Sequence, residues 1–230
     1  MFKIKKIDNK DVYYSDIIKA QHFFTSRDLI AKDNLEKIAN YLNIPSANLI
    51  KPSQIHSSNI EILKEDKREY KDCDALILNK KNYAIYLNFA DCTPVILYDE
   101  KNNAGAVIHA GWRGSADRIV YKTVQKMINE LNSNPKNITA AIGPCICFEC
   151  FETYDEALSK LKNSVKNKEG LFKDNFADLK GINKAQLEEI GVENIDICPY
   201  CTICDNDKFF SYRKENKTKN RHSAFLKLID

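Results

Sequence analysis

The chain has 230 residues, of which 43% are hydrophobic and 29% charged, a balance that suits one folded domain spanning 1–230 with a continuous core and excludes a disordered chain. Its 35 Lys and Arg nearly offset 32 Asp and Glu to leave a formal charge of +3, and the lysines are scattered, so no nucleic-acid partner is expected. The N-terminus alternates apolar and charged residues, unlike a signal peptide, and the longest apolar stretches fall well short of the ~20 residues of a membrane-spanning helix. A cytoplasmic protein is therefore expected. In that compartment the eight cysteines stay reduced and read as metal ligands, nucleophiles or core residues before disulfides.

In chain order, "FKIKKI" and "AQHFFTS" alternate as early strands. "DNLEKIANYLNI" carries helical spacing and predicts a helix near residues 34 to 43, with Asp33 and Glu36 placed as a capping box. "NIEIL", "DALIL", "YAIYLNF", "PVILY" and "AGAVIH" follow as short β-rich runs divided by polar turns, the pattern of a sheet rather than a bundle. From Ser115 the period becomes helical: Ile119, Val120, Val124, Ile128 and Leu131 share one face, with Ser115 as the cap. "TAAIG" returns as a strand. Residues 152 to 168 and 184 to 190 read as helices, and "NIDI" and "KFFSYR" as strands. The interleaving defines a mixed α/β domain whose strand order the sequence does not give.

Three residues stand at the ends of expected strands: His56 in "SQIHSSN", Cys92 in "FADCTP" and His109 in "AVIHAGW". Imidazole and thiolate both ligate zinc, and three such ligands leave a tetrahedral position open, as a catalytic site requires. A buried thiol and ordinary core or surface histidines are the competing reading, since no tight ligand spacing is present. In "HAGWRGSA", glycines and Arg113 stand at a strand-to-helix turn, where an anion can be held. The same arginine could instead pair with Asp91, and Trp112 could simply be core. Six further cysteines fall in "CICFEC" (Cys145, Cys147, Cys150) and "CPYCTIC" (Cys198, Cys201, Cys204). Neither group has four ligands by itself, so a zinc or iron-sulfur site would draw on both, with buried thiols as the alternative.

In order along the chain, "HFFTSR", "QIHSSNI", "DALI", "ADCTPVILYD", "AVIHAGWRGS", "AIGPCI", the "CT" at 201 and 202, and "FFSYR" match successive signatures of one family. The chain resembles the YfiH-type proteins, known in turn as polyphenol oxidase, laccase-domain protein and purine nucleoside phosphorylase, over nearly everything after residue 20. That resemblance implies an α/β fold of the YfiH and deamidating-toxin kind, a mixed sheet core flanked by helices. It implies one zinc on His56, Cys92 and His109. It further implies phosphorolysis of adenosine, inosine and methylthioadenosine to base and pentose 1-phosphate, together with adenosine deamination. Two departures stand out: "DLIAKD" follows Arg27 where the family carries "GGVS", and "TKNR" replaces "TGR".

On this reading Cys92, Asp91 and His109 carry the chemistry, Asp91 as an acid/base or as a group that orients a ligand, and Arg113, Arg27 and Arg213 hold phosphate. The partners are small molecules, a purine nucleoside and phosphate, with no membrane and no obligate protein partner. Copper is the weaker alternative cofactor, because four histidines would be nearly exhausted by one copper site and cannot build a multicopper oxidase. Two rivals remain from other classes: a metal-free cysteine hydrolase or deamidase with Cys92 as nucleophile and His109 as its base, and a non-enzymatic binding domain.

Overall fold

The computed structural model describes residues 1–229. The strands are β1 (Phe2–Ile7), β2 (Lys10–Ser15), β3 (Gln21–Thr25), β4 (Leu49–Ile50), β5 (Ile60–Ile62), β6 (Ala75–Leu78), β7 (Ala84–Phe89), β8 (Thr93–Asp99), β9 (Ala104–Ala110), β10 (Ile138–Ile142), β11 (Phe172–Lys173), β12 (Phe176–Ala177), β13 (Asn194–Ile197) and β14 (His222–Lys227). The helices are α1 (Leu35–Tyr41), α2 (Trp112–Ala116), α3 (Ile119–Leu131), α4 (Asp155–Asn163) and α5 (Leu179–Glu189). One six-stranded sheet has the order β1-β2-β3-β14-β7-β4, the other β13-β10-β8-β9-β6-β5, and β11 and β12 form a separate hairpin. Both large sheets mix parallel and antiparallel pairs, which agrees with the mixed sheet core expected from the sequence.

The two sheets face each other. Their inner faces meet in a core of Phe24, Ile85, Leu87 and Leu226 from the first sheet and Leu76, Ile96, Val107 and Ala141 from the second. The outer face of the first is covered by α1 through Ile38 and by Leu42 at its C-terminal cap, packed with Phe23 and Phe225. The outer face of the second is covered by α3 and α5, where Ile119, Val124, Met127 and Leu187 meet Leu97 and Ile108. Because strand side chains alternate between faces, Ile96 and Val107 point inward while Leu97 and Ile108 point outward. Each such side chain, once fully buried, contributes roughly 1.5–3 kcal/mol.

That register places the chemistry. Val107 pairs with Ile96 and His109 with Pro94, so His109 follows the parity of the inner face and emerges where the two sheets part. Cys92, one residue before β8, shares the parity of Pro94 and Ile96 and joins His109 at the same mouth.

Several local expectations are corrected. "KFFSYR" is no strand: the segment pairs with neither sheet and runs through turns, with the Phe209 amide closing a turn on the Asp205 carbonyl at 3.1 Å. The strand at this end of the chain is β14, a short run behind basic residues. The β2 strand was likewise not anticipated; it follows the two-residue turn at Asp8 and Asn9, both at positive φ (50° and 62°). Ser115 caps nothing, because it lies inside α2 and bonds Asn183, while α3 restarts after Arg118 at φ 61°. The capping box at Asp33 is absent too: the N-cap of α1 is Asn34, whose side-chain amide donates to the Ile30 carbonyl at 2.8 Å.

Candidate metal and active site

His56, Cys92 and His109 converge, with their ligating nitrogen and sulfur atoms all within 4.8 Å of one another. Two of the three sit where the sequence placed them, at the start of β8 and the end of β9. His56 does not stand at a strand end; it lies in the loop before β5, in the left-handed region with φ 63°. Asp91, beside Cys92, also has positive φ (81°). Such conformations are uncommon for non-glycine residues and cluster at functional sites.

A residue given no role in the sequence reading ties the three together. Asp74, fully buried at the foot of β6, receives His109 Nδ1–H on Oδ1 at 2.7 Å. The same carboxylate accepts the backbone amides of Ile55, His56 and Ser57 and the Ser57 hydroxyl. One side chain therefore fixes both the histidine on β9 and the loop that presents the other histidine. Burial raises the Asp74 carboxyl, but the bonds from His109 and Ser57 outweigh it and hold it down to about 2. As an ionised carboxylate can only accept, His109 Nδ1 carries the proton and Nε2 is free to face Cys92 or an ion. The signal in the sequence was the Asp that opens "DALI", one residue before the fully buried strand paired with β9.

Electrostatics inside the triad follow from this arrangement. Burial pushes the Cys92 thiol up, yet the charge of His109 and the bonds from both histidines bring it down to about 6. For His109 burial pulls down, while the Cys92 thiolate and the Asp74 bond raise it to about 9. The site thus favours thiolate beside imidazolium, and a divalent ion would take the place of the proton. The donor set fits zinc: two imidazoles and a thiolate within reach of a common point, a buried carboxylate behind one imidazole, and a cleft at the remaining corner. Gly111 makes room for it, since a Cβ there would meet Cys92 Sγ at 3.0 Å and His56 Cδ2 at 3.2 Å.

The cleft over the triad has a volume of about 770 Å³ and exposes Lys51, Arg113, Arg213, Lys219 and Arg221 against a single carboxylate, Asp91. Trp112, Phe151 and Tyr212 supply aromatic surface. Arg113 is exposed, stacks over the Trp112 ring at 4.3 Å, and makes no ion pair among the described residues. The alternative pairing with Asp91 does not form, because Asp91 Oδ1 accepts the Thr202 hydroxyl and Oδ2 the Arg213 amide, both at 2.7 Å. The Arg213 guanidinium reaches the carbonyls of Cys150 and Glu152. Arg27 is not brought to the cleft: it is ion-paired with Glu215 and lies over the Phe210 ring. The other two histidines are also elsewhere, His22 bonded to the Ala20 carbonyl and His222 beside Phe209, so no further imidazole joins the triad to build a multicopper centre.

Fold and triad together define a laccase-domain protein. Residues 24–229 match the family described as multi-copper polyphenol oxidoreductase laccase, and the chain belongs to that family. It is 34% identical over 223 residues to a purine nucleoside phosphorylase of Clostridium acetobutylicum, covering 96% of this chain and 93% of that one. It is 33% identical over 194 residues to an adenosine deaminase of an unknown prokaryotic organism, covering 77% and 74%. Among solved structures it superposes on the hypothetical protein YfiH of Bacillus licheniformis with a TM-score of 0.90 at 25% identity over 97% and 98% of the chains. YlmD of Geobacillus stearothermophilus shares the fold, with a TM-score of 0.85 at 24% identity over 92% of each chain. No helix among the described residues is long and apolar enough to cross a membrane.

Proposed function

We propose that this protein is a zinc-dependent purine nucleoside enzyme that phosphorolyses adenosine, inosine and methylthioadenosine to base and pentose 1-phosphate and also deaminates adenosine. The observation that carries the reading is the juxtaposition of an open His56, Cys92, His109 triad with a cleft where five cations face one carboxylate. A basic cleft suits a phosphate co-substrate, and the names of the two relatives point the same way. When bound, zinc supplies Lewis acidity at the open corner of the triad.

The chain's own residues supply the remainder. Arg113, unpaired at the rim, binds phosphate and holds it against the sugar carbon while positive charge develops there and the base departs. Trp112 and Tyr212 offer faces on which a purine stacks. Asp91, with its two oxygens already accepting from Thr202 and Arg213, works as a positioning residue that fixes the loop carrying Arg213. Asp74 keeps His109 in one tautomer and one orientation. Arg27 serves the loop that contains Phe209 and Glu215 rather than phosphate.

Purified protein with zinc on the triad, incubated with adenosine, is expected to release adenine only when phosphate is present and to form inosine with or without it. Absence of both products from zinc-loaded protein overturns the reading. A second reading, a cysteine hydrolase, draws on the close pairing of Cys92 and His109; it requires activity in zinc-free protein that an alkylating agent abolishes.

A further inference from the structure

We propose that Cys147, Cys150, Cys201 and Cys204 form a second metal site, a tetrathiolate that holds a single structural zinc ion behind the wall of the active cleft. The four sulfurs lie within 4.8 Å of one another, and Cys150 Sγ and Cys204 Sγ are 3.7 Å apart. Four thiolates around one zinc at about 2.3 Å stand ~3.8 Å from each other at the corners of a tetrahedron. The sulfurs are thus already close to the spacing the ion needs. No disulfide joins them. A polynuclear iron-sulfur cluster interposes its own iron and sulfide between the thiolates and sets them further apart than a single ion does.

The sequence pattern carries the same information once the two segments are seen together. Each segment contributes Cys-x-x-Cys, a spacing that puts two sulfurs on one side of a tight turn. The first turn closes with the Cys150 amide on the Cys147 carbonyl at 3.2 Å. The second closes with the Asp205 amide on the Cys201 carbonyl at 2.8 Å, while Asp205 Oδ2 receives the Cys201 amide at 2.9 Å. The turns meet through an isolated bridge between Cys145 and Cys201 and through the Cys147 amide, which donates to Cys201 Sγ at 3.3 Å. An amide aimed at a ligating sulfur is the kind of outer contact that steadies a thiolate site. Cys145 and Cys198, the remaining members of the two groups, are fully buried and take no part.

Charge completes the case. Four thiolates on a divalent ion leave two negative charges, and two cations already lean on these loops. Lys214 Nζ donates to the Ile203 carbonyl at 2.9 Å, between Cys201 and Cys204, and Arg213 donates to the Cys150 carbonyl at 3.2 Å. Neither segment belongs to a long helix or strand, so an ion that links residues some fifty positions apart supplies what regular structure does not. Its effect reaches the cleft, because the same loops deliver Ile146 and Thr202 to Asp91 and Phe151 to the cleft wall.

The test separates this site from the triad. A His56→Ala/His109→Ala chain, purified under reducing conditions, is expected to retain one zinc per chain by elemental analysis. Adding Cys150→Ser and Cys204→Ser is expected to remove it. Should the combined variant fail to fold, cobalt substitution of the histidine variant decides alone: the visible bands of a tetrahedral ion with strong sulfur-to-cobalt charge transfer are expected. A folded histidine variant that holds neither zinc nor cobalt overturns the proposal, as does zinc that survives the cysteine substitutions. Iron recovered with acid-labile sulfide, or two disulfides in place of the four thiols, overturns it as well.

Discussion

Asp74 Oδ1 stands 2.7 Å from His109 Nδ1, and the other face of the same carboxylate closes the loop that carries His56. A single buried charge thus couples two metal ligands that lie on different elements. The Asp74→Asn variant keeps the size but replaces one acceptor oxygen with an amide donor that faces the backbone amides of Ile55, His56 and Ser57, which cannot accept. Zinc affinity, measured by competition with a chelator, is expected to fall by about 10- to 100-fold. Denaturant unfolding of the metal-free chain should show a loss of ~1–3 kcal/mol from the unsatisfied donors. Unchanged zinc affinity would show that the orientation of His109 is set by something else.

The titration of the triad gives a second test, on metal-free protein. Cys92, brought down to about 6, should alkylate at pH 7 as a thiolate, with a rate that falls as pH drops through about 6. Removing the imidazolium leaves burial to dominate, so His109→Ala should shift the rate profile to higher pH, and zinc should protect the thiol in the wild type. The effect on stability has opposing parts. Cys92, lowered on folding, contributes fully above its unfolded value near 9 and loses that contribution as pH falls through about 6. His109, raised on folding to about 9, contributes fully below its unfolded value near 6.5 and loses it as pH rises through 9. Between those limits one group gains as the other loses, so the pair itself should leave metal-free stability nearly flat from about pH 6.5 to 9.

Arg113 separates the two proposed reactions. Its guanidinium has no carboxylate partner among the described residues and is held over the Trp112 ring, so Arg113→Ala disrupts no ion pair and should fold normally. Phosphorolysis should lose about 10- to 100-fold in kcat/KM, chiefly through a higher KM for phosphate, while deamination, which uses no phosphate, should change by less than about threefold. Equal losses in both reactions would place Arg113 on the nucleoside instead. Arg27→Ala provides the contrast: its partner is Glu215, so stability should fall while the KM for phosphate stays the same.

The elements legible in the sequence were those whose pattern is local. The runs that became β6 to β10 are continuous apolar segments, fully or almost fully buried, and α3 buries Ile119, Val120 and Val124 of the stripe its spacing announced, with Thr123 and Met127 completing the buried face and Ile128 and Leu131 only partly covered. Cys92 and His109 were legible because they stand at the ends of such runs; His56 was grouped with them on a strand end it does not occupy, and the family signatures supported the same set of three. Long-range facts were hidden. Asp74 acts through its place opposite the end of β9, which is a matter of register. The role of Arg27 depends on Glu215, 188 positions away, and "KFFSYR" carries strand-like residues whose burial follows turns instead. The two cysteine groups each looked incomplete because half of the set lies on another loop.

Two glycines make a paired test of packing against site geometry. A Cβ on Gly105 would come within 2.5 Å of the Leu97 carbonyl oxygen and 2.7 Å of Leu226 Cδ2. The oxygen belongs to the neighbouring strand's backbone and cannot move alone, so Gly105→Ala must displace β8 against β9, at a cost of roughly 1–3 kcal/mol. Gly111 has an ordinary φ of −67°, so alanine there meets no backbone strain; what it meets is Cys92 Sγ at 3.0 Å and His56 Cδ2 at 3.2 Å. The Gly111→Ala chain should therefore unfold within about 1 kcal/mol of wild type when metal-free and bind zinc at least about tenfold more weakly, equivalent to ~1.4 kcal/mol. Gly105→Ala should do the reverse, losing stability while its folded fraction binds zinc normally. Denaturant unfolding and chelator competition on the two variants measure both quantities, and a Gly111→Ala chain with wild-type zinc affinity would mean that the ion does not need both ligands where they now stand.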